Sequence, residues 1–79
     1  MERDIYAPRR IQITQENLPG VIKYLRRRAN LTQETAGEKY MVSSTTVKNW
    51  EKGHCLMRTD NLFLLMSFYG YHLEAIRNE

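Results

Sequence analysis

Residues 31–53 read LTQETAGEKYMVSSTTVKNWEKG. Two short helices joined by a tight turn account for this stretch. Thr32 suits the cap of the first, with Gln33 to Tyr40 as its body, because a threonine hydroxyl can accept from a free backbone N–H one turn on. Ser43 suits the cap of the second, Ser44 to about Glu51, and Gly53 supplies a left-handed stop. Counted along these helices, Ala36, Gly37, Tyr40, Val42, Val47 and Trp50 fall inward. Ser44, Thr45, Lys48 and Asn49 fall outward.

The outward row is unusual. A merely solvated helix face more often carries Glu and Lys pairs, which favour helix. Three consecutive Ser/Thr residues are poor helix formers, and capping explains only one of them. Short hydroxyls, a lysine and an asparagine on a compact helix suit the floor of a DNA major groove, where donors, acceptors and the thymine methyl are displayed.

The flanks extend the helical pattern. Leu18, Val21, Ile22 and Leu25 recur at three- and four-residue spacing, which predicts a helix from Leu18 to about Ala29. Thr14 could cap it, with Ile13 and Leu18 as a hydrophobic staple. Asn17 is preferred, because it leaves Pro19 in the free first turn. Asn30 offers a left-handed stop. After a loop from His54 to Arg58, Thr59 is the expected cap of a fourth helix running to about Tyr69 and stopped by Gly70. Its core stripe is Leu62, Leu65, Met66 and Tyr69. Phe63, Leu64 and Phe68 lie on other faces, so this helix carries apolar surface beyond what one small core needs. A short strand at Ile11 to Ile13 is compatible with the alternation there. The segment from His72 to Glu79 fits a short helix or a terminal strand equally well.

Composition narrows the classes. At 79 residues there is room for one small domain, and 42% hydrophobic with 27% charged residues is ordinary for a globular protein. No run approaches the roughly 18 apolar residues of a membrane span. The opening MERDIYAPRR lacks the apolar stretch of a secretion signal, which suggests a cytoplasmic protein. Cys55 is the single cysteine, so no internal disulfide can form, and with only His54 and His72 a zinc site is not expected. Net charge is +3, placed unevenly: eleven Lys/Arg against six Asp/Glu in residues 1–58, and one against three in 59–79. A basic front suits a partner rich in phosphate. No catalytic constellation or glycine-rich phosphate loop is visible, so neither an enzyme nor a cofactor is expected.

The residues Leu25-Arg26, Leu31-Thr32-Gln33, Val42-Ser43, Val47, Trp50-Glu51-Lys52-Gly53, Leu62, Leu65 and Gly70 together resemble the XRE-type helix-turn-helix family of phage Cro and lambda-type repressors, over roughly Leu18 to Ile76. The resemblance implies an all-α, lambda-repressor-like bundle of four to five helices with a helix-turn-helix, with room for short terminal strands. Residues 1–16 would be an arm, and 17–79 a DNA-binding domain with a dimerising C-terminal segment. Three positions depart from the family pattern. Met41 stands where the turn often has glycine, Ala36 stands where a larger aliphatic is usual, with Tyr40 or Met41 to fill the space, and the loop before the fourth helix lacks a proline.

The roles implied are those of a sequence-specific transcriptional regulator, a repressor binding double-stranded DNA as a homodimer on a palindromic operator. Ser44, Thr45, Lys48 and Asn49 would read bases, while Ser43 reads as a cap. Gln33, at a helix N-terminus, would meet phosphate by resemblance and brace a base-reading side chain; the plain alternative is a helix-start glutamine. Thr46, Lys52 and Arg58 would also meet phosphate. By resemblance, Arg26 and Glu51 form an ion pair between the first and third helices, the alternative being an Arg26–phosphate contact. Arg9 and Arg10 could form an arm reaching the minor groove. Phe63, Leu64, Phe68, Tyr71, Leu73 and Ile76 are the expected dimer surface. The same motif also resembles antitoxins that neutralise a toxin protein and autoregulate their operon.

Overall fold

The computed structural model describes residues 8–78. Among them are four helices and no strand: α1 (Leu18–Arg28), α2 (Gln33–Tyr40), α3 (Ser44–Lys52) and α4 (Thr59–Phe68). The expected all-α bundle is therefore present, with four helices. The strand considered at Ile11 to Ile13 does not form, although both isoleucines pack against the core. Residues 71–78 form neither helix nor strand. Tyr71 and Leu73 lean on the core in alternate register, but no described segment offers them a hydrogen-bonded ladder.

Local chemistry sets each helix. Thr32 accepts from the Thr35 N–H at 3.0 Å and Ser43 from the Thr46 N–H at 3.1 Å, as the sequence predicts. Before α1 the outcome combines the two caps considered. The Thr14 hydroxyl accepts from the Asn17 N–H at 3.1 Å, and the Asn17 side-chain oxygen accepts from the Thr14 N–H at 2.7 Å. This reciprocal pair closes a turn ahead of α1, and Asn17 occupies the cap position without its side chain capping the helix. The expected Thr59 cap is displaced by one residue. Arg58 holds the extended cap conformation and its carbonyl accepts from the Leu62 N–H at 3.0 Å, so Thr59 is already helical.

All four helices end in the same way. A residue with positive φ follows each last turn: Asn30 (58°), Met41 (63°), Gly53 (74°) and Gly70 (84°). The N–H of the next residue reaches back five positions, Leu31 to Arg26, Val42 to Gly37, His54 to Asn49 and Tyr71 to Met66, at 2.8–3.1 Å. These are Schellman closures, which satisfy carbonyls the helix itself leaves open. Met41 adopts the left-handed turn without being glycine, at a cost of about 1 kcal/mol.

The core is Val21, Ile22 and Leu25 of α1, Ala36 and Tyr40 of α2, Val47 and Trp50 of α3, and Leu65 and Met66 of α4. Tyr40 joins the small Ala36 in this core. Met41 does not, being 88% exposed. The Tyr40 hydroxyl pairs with that of Tyr69, and Phe68 meets both rings edge-on at 5.8 and 5.0 Å between centroids. Burial raises the pKa of both phenols above the ordinary value, and their mutual hydrogen bond adds to the rise at Tyr40.

Candidate nucleic-acid interface

The position of α3 is fixed from behind. It packs on both α1 and α2, with Val47 and Trp50 buried. The approach of α2 to the start of α3 depends on a missing side chain: a Cβ on Gly37 would lie 2.7 Å from the Val42 carbonyl oxygen. The contact at this inward glycine is thus backbone to backbone.

With its back held, α3 turns Thr45, Lys48, Asn49 and Lys52 outward. Their spacing of i, i+3, i+4 and i+7 places them on one helical stripe. Thr45, Lys48 and Lys52 are exposed and Asn49 is half-buried. Ser44 lies on the flank of this stripe, half-buried at the first helical position. Thr46 is also half-buried, and its hydroxyl lies 3.0 Å from that of Ser43. Ser43 therefore acts as the cap it was expected to be. Lys52 ends the helix beside Gly53. Arg58 is exposed at the start of α4, within 3.4 Å of the Asp60 carboxylate, which is also exposed, a pair worth little in water.

A charged network ties the three helices of this unit together. Arg26 donates from Nε to Glu51 Oε2 at 2.6 Å and from Nη2 to Oε1 at 3.0 Å. Its Nη1 donates to the Leu31 carbonyl at 2.8 Å, which fixes the loop between α1 and α2. The Arg26 and Glu51 side chains are 10% and 3% exposed. The bond to Glu51 raises the Arg26 pKa above its ordinary value, so the guanidinium remains charged. Among the described residues no buried side-chain polar atom lacks a partner. The ion pair expected between the first and third helices is therefore present, and Arg26 is committed to it.

Sequence reasoning missed one member of this network. Gln33 donates from Nε2 to Glu51 Oε1 at 3.2 Å. Nothing in the spacing of positions 33 and 51 signals that bond, which depends on how α2 and α3 cross. Sequence reasoning also missed the bond from the Tyr71 hydroxyl to the Pro8 carbonyl at 2.7 Å, which joins the start of the described chain to the segment just after α4.

The six residues expected at a dimer surface divide into two sets. Phe63 and Leu64 are 54% exposed and Ile76 is 74% exposed. Phe68, Tyr71 and Leu73 are half-buried and pack on the chain's own core. Among the described residues no cluster of His, Cys, Asp and Glu could hold a metal ion, and no helix is long and apolar enough to cross a membrane.

Comparison with curated proteins gives no match. The helix-turn-helix family HTH_3 matches residues 22–76, which run from α1 through α4 and into the C-terminal segment. With that match over most of its length, and with α2 and α3 in this geometry, the chain belongs to the XRE-type helix-turn-helix family of DNA-binding regulators.

Proposed function

We propose that this chain is a sequence-specific transcriptional repressor that binds a palindromic operator as a homodimer. In this reading α3 lies in the major groove, and Ser44, Thr45, Lys48 and Asn49 meet base edges. Gln33, Thr46, Lys52 and Arg58 meet the sugar-phosphate backbone and set the register. One observation carries the reading: α3 is locked on its inner face and presents a single outward stripe of short polar and basic side chains. Arg9 and Arg10 are exposed between Pro8 and Ile11, and in this reading their side chains reach the minor groove.

The dimer follows from need and from surface. One recognition helix reads few base pairs, so a single domain of this size binds weakly. Phe63 and Leu64 expose apolar surface on α4, and Leu64 lines a cleft with Tyr40, Trp50 and Phe68. Covering that surface with a second copy would stabilise the pair by about 25 cal/mol per Å² before association costs. Two-fold symmetry would set the recognition helices roughly 34 Å apart, on successive major grooves.

Selection of duplexes from a random-sequence pool tests the function. Enrichment of a site with inverted half-sites supports it. Retention of the pool without enrichment refutes sequence-specific recognition. Sedimentation of Leu64→Glu tests the dimer: it should be a folded monomer with much weaker binding to the enriched duplex. A wild-type monomer at tens of micromolar would refute the dimer.

A further inference from the structure

We propose that Glu51 is a positioning residue for DNA recognition, holding the Gln33 side-chain amide in one orientation for its nucleic-acid contact. This rests on the reading of Gln33 as a DNA-contacting residue. The orientation follows from chemistry. An ionised carboxylate can only accept, so the group of Gln33 that faces Glu51 Oε1 at 3.2 Å must be the NH2 and not the carbonyl. The ambiguity that usually attends a glutamine amide is thereby removed. One N–H is engaged inward. The carbonyl oxygen and the second N–H remain for a ligand at the N-terminus of α2.

Glu51 is well placed to enforce this. Its side chain is 3% exposed, and Arg26 grips both of its oxygens at 2.6 and 3.0 Å. Arg26 is itself held by the Leu31 carbonyl at 2.8 Å, just before α2 begins. The carboxylate therefore has no freedom to follow Gln33; Gln33 must follow it. A half-buried amide at a helix N-terminus becomes a fixed donor–acceptor pair, and the ordering of its side chain precedes DNA binding. The ion pair between α1 and α3 thus acts on recognition through Gln33 as well as on stability.

A double-mutant cycle on the duplex enriched by the wild-type chain separates the two roles. Glu51→Asp keeps the charge opposite Arg26 and withdraws the carboxylate by one methylene. It should weaken binding by about fivefold or more in the Gln33 background and by less than about twofold when Gln33 is alanine. Equal losses in both backgrounds would mean that Glu51 acts only through the fold, and would overturn the proposal. If Gln33→Ala alone leaves affinity unchanged, the DNA role of Gln33 fails, and the proposal with it, while the helix-turn-helix reading stands. NMR of the unliganded wild-type protein needs no variant. The Gln33 side-chain amide should show one proton shifted downfield and slow to exchange. Two protons exchanging like those of a solvated glutamine would overturn the proposal even if Glu51→Asp does not fold.

Discussion

Replacing Gly37 by alanine inserts one methyl group where α2 meets the start of α3. The added Cβ would lie 2.7 Å from the Val42 carbonyl oxygen, and 3.2 Å from both the Ser43 carbonyl carbon and the Ser44 nitrogen. All three are backbone atoms, so no side chain can swing aside. The Val42 N–H also donates to the Gly37 carbonyl at 2.9 Å, which ties the obstructing peptide to the helix it obstructs. Relief requires shifting the whole first turn of α3. Overpacking of this kind costs about 1–3 kcal/mol. Helix propensity offsets up to about 1 kcal/mol of that on going from glycine to alanine. Gly20 isolates the second term, because a Cβ there meets nothing within 4 Å. Gly37→Ala should therefore lower stability by about 1 kcal/mol, and Tm by roughly 4–8 °C for a domain of this size. Gly20→Ala should raise stability by up to about 1 kcal/mol. Thermal melts followed by circular dichroism measure both. If the two variants shift Tm by similar amounts in the same direction, the steric argument at Gly37 is wrong and propensity alone governs both sites.

Removing either partner of the Arg26–Glu51 pair should cost about 3–5 kcal/mol in urea denaturation, because the other charge is left buried; replacing both by leucine should cost less than either single change. Lys52→Ala should weaken binding to specific and random duplexes alike and lower the salt slope of log affinity by about 0.9, and an unchanged slope would remove Lys52 from the phosphate backbone. Asn49→Ala and Thr45→Ala should instead alter base preference, at about 1–3 kcal/mol for the cognate position, whereas a uniform loss on every sequence would reject base reading. Stability should also fall in alkali. The folded pKa values of Tyr40 and Tyr69 lie above the ordinary 10.0, so the folded state holds these protons more tightly. Their contribution is full below pH 10 and declines as pH rises past it, which urea midpoints measured from pH 8 upward should reveal.

What the sequence made legible was mostly local. Thr32 and Ser43 cap through bonds spanning three residues, and Asn30, Gly53 and Gly70 stop helices through their own φ. Such features need no knowledge of the rest of the chain. Two assignments in α4 were misplaced. Thr59 is the better capping residue, yet the first turn of α4 starts one residue earlier, with Arg58 as the first acceptor. Phe68 has the look of surplus surface on a helical wheel, but it is half-buried, edge-on to Tyr40 of α2 and to the adjacent Tyr69. That burial makes Phe68→Glu a test of folding, and leaves exposed Leu64 as the probe of assembly. At the interface, the outward stripe of α3 followed from periodicity and the Arg26–Glu51 pair from the resemblance. The Gln33–Glu51 bond followed from neither, because it depends on the crossing of α2 and α3.

The shared form of the four helix ends has a kinetic consequence. Each stop closes through bonds reaching back only three and five residues, so none waits for distant segments to meet. The loop-closure entropy of such bonds is small. Helical domains dominated by contacts of this range fold in microseconds to milliseconds. Synthesis of these 79 residues takes about 4–16 s at the roughly 5–20 residues per second of translation. A new copy is therefore folded thousands of times faster than it is made. The time in which such a regulator follows a change in its own expression is then set by synthesis and turnover, with no lag contributed by folding.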